Sequence, residues 1–339
     1  MITYSIWNNK GGTGKTSLTF QTVCRFANQN LSKRVLVIDL CPQANLSEIL
    51  LGGQENGGSK NLLANQGRMP RASIGGYFDL RLGSPFSPPN FQATDFITTP
   101  HKFNQFISPN IDLVCGDPLL ELQAIAMNTL ANADIPGVNA WLGVIDWLRD
   151  LLRRLDYDYV FIDTNPSFSM YTQIALAGSD RVVLPVMADD SSRRAIQNAF
   201  SLIYGLKLPS EIYSKYTFAK KLNDANRDLP KVHLIVKNRL TQYMGTSSAY
   251  NAVLVGINSD LADLIDQYPQ YFTFTDPHDG TIDIGDFGTT GVVAFARGCP
   301  FYNMPVGKLT LAGQRVQVKN EYRDAFVATI DRLVKRLCK

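Results

Sequence analysis

Long apolar runs are missing from this chain of 339 residues. Although 45% of it is hydrophobic, no stretch approaches the roughly 20 residues that a membrane-spanning helix needs. The first strand candidate starts at residue 2, which predicts that no signal peptide precedes it. Cysteine is sparse: Cys24, Cys41, Cys115, Cys299 and Cys338 lie far apart without a C-x-x-C pair. Neither a zinc site nor a disulfide framework is expected, and a reducing cytoplasm is the predicted compartment. Histidine is rarer still, and His101, His233 and His278 are isolated, with His233 inside a strand pattern, so they are expected in the core or on the surface and not as ligands. An excess of one charge is lacking too. Lys plus Arg number 33 against 30 Asp plus Glu, a net +3 that permits nucleic-acid binding without demanding it. The loop Asp276 to Asp286 has carboxylates and glycines, but not the spacing or closing glutamate of an EF-hand, and reads as a solvated loop. No internal repeat is evident.

What is present is concentrated near the start. Residues 2 to 7 alternate and are rich in β-branched and aromatic side chains, a strand pattern; from Ser17 onward Leu18, Val23, Phe26 and Ala27 recur at helical spacing. Between them lies Lys10-Gly11-Gly12-Thr13-Gly14-Lys15-Thr16. Glycines there let successive N–H groups point at one spot, and the following helix adds its positive dipole end, so the turn suits a polyphosphate. Lys15 is expected to reach the β- and γ-phosphates and the Thr16 hydroxyl to bind Mg²⁺, with Ser17 completing the cradle. Asn9 stands where the general pattern has its first glycine, and asparagine is the non-glycine residue most at ease in left-handed geometry.

Residues 35–39, 111–115, 159–163, 181–186 and 232–236 are short apolar runs of the kind buried in a parallel sheet. Helical patterns separate them, among them Trp141 to Leu155 with Trp141, Val144, Ile145, Leu148, Leu151, Leu152 and Leu155 on one face. The alternation predicts one doubly wound α/β domain over 1–339, a mostly parallel sheet flanked by helices with ligands at the carboxyl ends of its strands. Stretches of about 52–110, 207–230 and 268–291 break the rhythm and read as surface insertions. Asp163 ends Tyr159-Val160-Phe161-Ile162, where a carboxylate could hold Mg²⁺ or cap the next helix. Asp39 ends the second strand before Leu40-Cys41-Pro42-Gln43.

The run from Lys10 to Thr16 resembles the deviant Walker A motif of the ParA/MinD family of ATPases. The resemblance implies a P-loop fold, ATP and Mg²⁺ as ligands, and an ATP-bridged homodimer in which Lys10 reaches the partner's phosphates. It also implies that Lys10, Lys15 and Asp39 serve catalysis, with Thr16, Asp39 and Asp163 at the metal. Asp39 matches the first acid of the family's Asp-x-Asp-Pro-Gln segment. The second acid, associated there with the attacking water, is Cys41 here, so hydrolysis is expected to be slow and partner-stimulated; Cys41 serves equally as a small apolar residue under the loop. Asp163-Thr164-Asn165-Pro166-Ser167 is similar to Asp-x-Pro-Pro-Ser with Asn165 for a proline. Residues 186–193 match a second switch-like loop, Asn238 the position that reads the adenine edge, and Gly307-Lys308-Leu309 onward the last loop and helix. The start at residue 2 leaves no N-terminal DNA-binding domain of the kind longer relatives carry. Non-specific DNA in the ATP state, with nucleoid association, is the partner the resemblance implies, through Arg315, Lys319, Arg323, Arg332, Lys335 and Arg336, and through Lys215, Lys220 and Lys221 in an insertion. A ParB-like centromere-binding or adaptor protein is the second partner, serving DNA or plasmid partition or cargo positioning. MinD-like membrane association, without stable insertion, stays open as a second reading; it needs an amphipathic tail beyond the folded domain, whereas the stripe of Tyr322, Phe326, Ile330, Leu333 and Leu337 in the last helix is expected to face the core. A nucleotide-binding switch with little intrinsic hydrolysis and a small-molecule enzyme that phosphorylates a carboxylate also stay open; an iron protein lacks the bridging cysteine pair.

Overall fold

The computed structural model describes residues 1–187, 189–240 and 248–339. Seven parallel strands form one sheet: β1 (Ile2–Ile6), β2 (Val35–Leu40), β3 (Ile111–Val114), β4 (Tyr159–Thr164), β5 (Arg181–Met187), β6 (Lys231–Leu240) and β7 (Thr281–Gly285), in the order β3-β2-β4-β1-β5-β6-β7. β8 (Gly307–Leu311) and β9 (Gln314–Val318) make a separate antiparallel hairpin. The doubly wound α/β fold expected from the sequence is the fold observed.

The strand side chains alternate between two cores. Val35 and Val37 face one side with Tyr4, Ile6, Phe161 and Val183, under the helices Lys15–Gln29 and Asn320–Leu337. Leu36, Ile38 and Leu40 face the other with Trp7, Val160, Ile162 and Val182, under Ile74–Leu82, Met170–Ala177 and Asp190–Tyr204. With both faces covered the strands are apolar throughout, and every residue of β2 is buried. The order in which strands are added reverses beside β1: β2, β3 and β4 lie on one side of it, and β5, β6 and β7 on the other. The loop after β1 therefore emerges at the switch point, where α/β sheets bind ligands.

The structure corrects the expected insertions and one helix. Residues 52–110 are no surface insertion: they contain the helices Gly58–Gln66 and Ile74–Leu82 and bury Ile74, Tyr77, Phe78 and Phe96 in the core. Their glycines are there for close approach, since a Cβ on Gly75 would lie 2.6 Å from Asp117 and one on Gly76 2.2 Å from the Arg71 carbonyl. The helix expected over 141–155 is two, Ala140–Ile145 and Trp147–Leu152, broken at Asp146, whose carboxylate takes two 2.6 Å hydrogen bonds from Arg227. Of the other two stretches, 268–291 supplies the edge strand β7, and 207–230 sends Phe218 and Leu222 of the helix Phe218–Asp224 into the core, while Glu211–Tyr216 is exposed throughout. Among the described residues no helix is long and apolar enough to cross a membrane.

Candidate functional site

The turn between β1 and the helix Lys15–Gln29 takes its shape from Gly12 and Gly14, at φ 74° and 78°. Those left-handed angles strain any residue with a Cβ. Asn9 is not among the positive-φ residues, so the left-handed geometry expected there falls on the glycines instead. Asn8, which no motif marks in the sequence, locks the turn: its Nδ2 donates to the Pro185 carbonyl at 2.8 Å and its Oδ1 accepts from the Lys10 N–H at 2.9 Å. Lys15 is buried, with Nζ 3.3 Å from the carbonyl oxygens of Asn8 and Lys10. Burial lowers its pKa, and Asp163 pulls the other way.

A polar cleft of about 380 Å³ opens over this turn, lined by Gly11, Thr13, Lys15, Thr16, Cys41 and Gln43 among others. Parallel pairing of β2 with β4 sets Asp39 directly opposite Asp163. The Thr16 hydroxyl donates to Asp163 at 2.9 Å and Thr19 at 3.2 Å; Ser47 donates its N–H and hydroxyl to one Asp39 oxygen at 2.8 and 2.7 Å. Ser47 carries no signal in the sequence, because no local pattern links residues eight apart across a turn. Both carboxyls are fully buried, which raises their pKa values, and the negative charge of Asp163 raises that of Asp39 further. Asp39 Oδ1, Asn9 Oδ1 and Thr13 Oγ1 are buried without partners. Orphaned oxygen acceptors beside a buried lysine fit a polyphosphate with its divalent cation. No cluster of three or more His, Cys, Asp or Glu capable of holding a metal occurs among the described residues, so phosphate oxygens would have to complete the coordination.

The raised carboxyls have a measurable consequence. A carboxyl whose pKa is raised by folding contributes stability that is present below the ordinary aspartate pKa and is lost as pH rises through the folded value. Buried His233, lowered to about 4 by burial and Arg181, works in the opposite sense. The diagnostic is therefore a difference. Between pH 5 and 8 the nucleotide-free melting temperature of Asp163→Asn should fall less than that of the wild type, by roughly 2–4 °C for each kcal/mol involved. Identical pH profiles would refute the buried-pair account.

Cys41 reaches the cleft, but burial, reinforced by Asp39, pushes its thiol up to about 12. Asn238 donates through Nδ2 to the Thr13 carbonyl at 2.9 Å, tying β6 to the phosphate turn. It also lines a second cleft of about 610 Å³ with Phe287, Asp286, Val292 and Leu311, which shares Gly14 and Ser17 with the first. Phe287 is the aromatic residue that lines this cleft together with Phe295; in the sequence it stands alone in a glycine-rich stretch, with no motif around it.

Lys10 is held within its own chain. Its Nζ lies 2.5 Å from both Asp189 Oδ2 and Ser191 Oγ. Asp189 caps the helix Asp190–Tyr204 by accepting from the Ser192 N–H at 2.8 Å. Burial opposes its ionisation, but hydrogen bonds from Lys10, Ser191 and Ser192 outweigh that and bring it to about 2. Ala188 of the segment 186–193 lies outside the described residues.

The basic residues expected at DNA are dispersed. Arg332 and Arg336 line a cleft of about 600 Å³ with Lys237 and His278, beside β7. Arg315 is exposed on β9, Lys335 is exposed on the last helix, Lys319 lies over the Tyr322 ring, and Arg323 bonds Asp324 and Asn320. Lys220 pairs with Asp224, while Lys215 and Lys221 cover Tyr216 and Trp141. Ile330, Leu333 and Leu337 are core as expected, but Tyr322 is 47% exposed.

Residues 1–209 match the AAA domain family AAA_31. Among curated proteins, the chromosome-partitioning ATPase Soj of Thermus thermophilus is 31% identical over 183 residues, 54% of this chain and 53% of Soj. An uncharacterised Pseudomonas putida protein is 29% identical over 186 residues, 55% of this chain and 56% of that one. The chain thus spans about half the length of these relatives. Among solved structures, a Cyanothece McdA–ATP complex aligns with a TM-score of 0.62 at 14% identity over 99% of this chain and 96% of that one. The pNOB8 ParA bound to nonspecific DNA aligns at 0.52 and 17% identity, over 99% and 97%. At these identities the likeness is one of fold.

Proposed function

This chain belongs to the AAA domain family AAA_31 and is ParA-like in fold and relatives, and from that membership together with the phosphate cleft we propose that it is an ATP-dependent switch. ATP closes two copies into a homodimer in which Lys10 acts across the interface; the dimer binds non-specific DNA, and hydrolysis releases it. The cycle serves partition of DNA or positioning of a cargo in the cytoplasm, in concert with a ParB-like partner.

The observation that carries the reading is the buried Lys15 aimed at a glycine-shaped turn, opposite two acids at the same sheet edge. Lys15 holds the β- and γ-phosphates, and the Gly11 to Thr16 backbone cradles them. Thr16, Asp163 and Asp39, gathered at one edge of the sheet, would hold the cation. Mg²⁺, when bound, neutralises charge developing on the phosphate oxygens. The base lies in the second cleft, against Phe287 and within reach of the Asn238 amide, which has both donor and acceptor. Cys41, protonated at neutral pH, supplies no base, so catalysis rests on position and on Lys10 and Lys15. The membrane-associated reading is set aside because Ile330, Leu333, Val334 and Leu337 are buried against the sheet and not free for a bilayer.

DNA contact is supported by the complex that one ParA structure forms with nonspecific DNA and by the basic residues of the last helix. Anisotropy of a labelled duplex tests it: retention should need ATP, ignore sequence and fall with salt, and Arg332→Glu with Arg336→Glu should reduce the logarithmic salt slope by about 2. Equal binding with ADP and ATP, or none with either, would remove DNA from the proposal.

A further inference from the structure

We infer that the cleft beside β7 is a second anion site, separate from the nucleotide site, and that it takes a phosphoryl group carried by a small molecule. None of the described residues that line it lines either of the two clefts at the phosphate turn.

Lys237 lies on β6 with its side chain only 6% exposed, and its ion-pair partner is Asp283, 3.4 Å away and itself 57% exposed. So long a contact serves at most one of the three ammonium N–H groups. A buried cation matched that poorly is costly unless further acceptors reach it. Arg332 and Arg336, four residues apart on the helix Asn320–Leu337, line the same cleft of about 600 Å³. Arg332 gives an N–H to the Thr329 hydroxyl at 3.0 Å and Arg336 gives one to the His278 carbonyl, which places both guanidiniums and occupies little of their five-donor forks. Among the described residues lining the cleft, Asp283 is the one carboxylate that faces these three cations. Nearby Asp279 is bonded by Lys339 at 3.2 Å. The excess of two positive charges matches a dianionic phosphoryl group, whose oxygens suit arginine forks and an ammonium alike.

A nucleic-acid backbone carries phosphates too, but the burial of Lys237 separates the two sources. A duplex meets side chains that protrude, as exposed Arg332 does, and cannot bring a phosphate to one that is 6% exposed. A small ligand can enter. The volume lies within the range of small-molecule sites, and Pro277 and Ile282 supply an apolar wall for the rest of such a ligand.

Pyrophosphate is the probe, titrated calorimetrically into Lys15→Ala so that the phosphate turn is silenced. One equivalent should bind per chain, and adding Lys237→Met should weaken it about ten- to one-hundred-fold. Methionine fills the space of the lysine stem, and Asp283 stays hydrated, so the fold should be kept. Arg336→Gln should weaken the same binding by a smaller factor and provides the readout if Lys237→Met folds poorly. Lys237→Met alone should leave the affinity for a labelled DNA duplex unchanged. Absence of pyrophosphate binding in Lys15→Ala, or binding that Lys237→Met leaves intact, overturns the inference, and the switch reading is untouched by either result. A Lys237→Met protein that loses duplex affinity as steeply as pyrophosphate affinity overturns it too, because the cleft would then serve a nucleic-acid backbone.

Discussion

Lys15→Ala should abolish ATP binding at ordinary concentrations while leaving the fold intact. The turn is shaped by Gly12, Gly14 and the two hydrogen bonds of Asn8, none of which involves the Lys15 ammonium. What the substitution removes is a buried cation whose hydrogen-bond partners are two carbonyl oxygens at 3.3 Å, contacts that a phosphate would improve upon. Deleting one side of a desolvated charge pair costs about 2–5 kcal/mol, or roughly 30- to 4,000-fold in affinity. Thermal denaturation reads it out. At ATP one hundred-fold above the wild-type dissociation constant, bound nucleotide adds about 2.7 kcal/mol of stability, and the variant should keep less than about 1 kcal/mol of it. A variant stabilised as much as the wild type would place the nucleotide elsewhere.

Cys41→Asp should raise the rate of ATP hydrolysis by about ten-fold or more, since a positioned general base contributes roughly 10²- to 10⁴-fold. Cys41 follows the end of β2 directly, two residues after Asp39, and Asp163 lies opposite Asp39. Their charges raise the pKa of a new carboxyl beside them, toward the range in which a base works best at neutral pH. Cys41→Ser should change turnover by less than about two-fold, because a thiol pushed up to about 12 is as fully protonated at neutral pH as a hydroxyl. Single-turnover measurements separate chemistry from release. Rapid wild-type hydrolysis that Cys41→Ser strongly impairs would show that the thiol does more than pack under the loop.

The phosphate turn was legible in the sequence because its parts are contiguous: a strand, three glycines, Lys15, Thr16 and a helix. Asp39 and Asp163 were legible because each ends an apolar run, and parallel strands present their carboxyl ends at one edge. What joins distant parts was not. Lys10 meets Asp189 across 179 positions and Asn238 meets Thr13 across 225, and no local pattern encodes either. Local rules also misled where packing overrode them. Gly75 and Gly76 read as loop yet sit in a helix pressed against Asp117 and Arg71. The apolar stripe of 141–155 continues through Asp146, the one residue between the two helices, whose carboxylate pairs with Arg227 from a distant segment. Short, acid-flanked β7 offered too few apolar residues to stand out as a strand.

The central claim is that ATP joins two copies of this chain through Lys10. Sizing the wild type and Lys10→Ala over a range of protein concentrations, with ATP, with ADP and without nucleotide, tests it most directly. The wild type should be a dimer with ATP only, and Lys10→Ala a monomer in all three conditions. A wild type that is monomeric throughout, or a Lys10→Ala protein that dimerises with ATP as readily as the wild type, would contradict it.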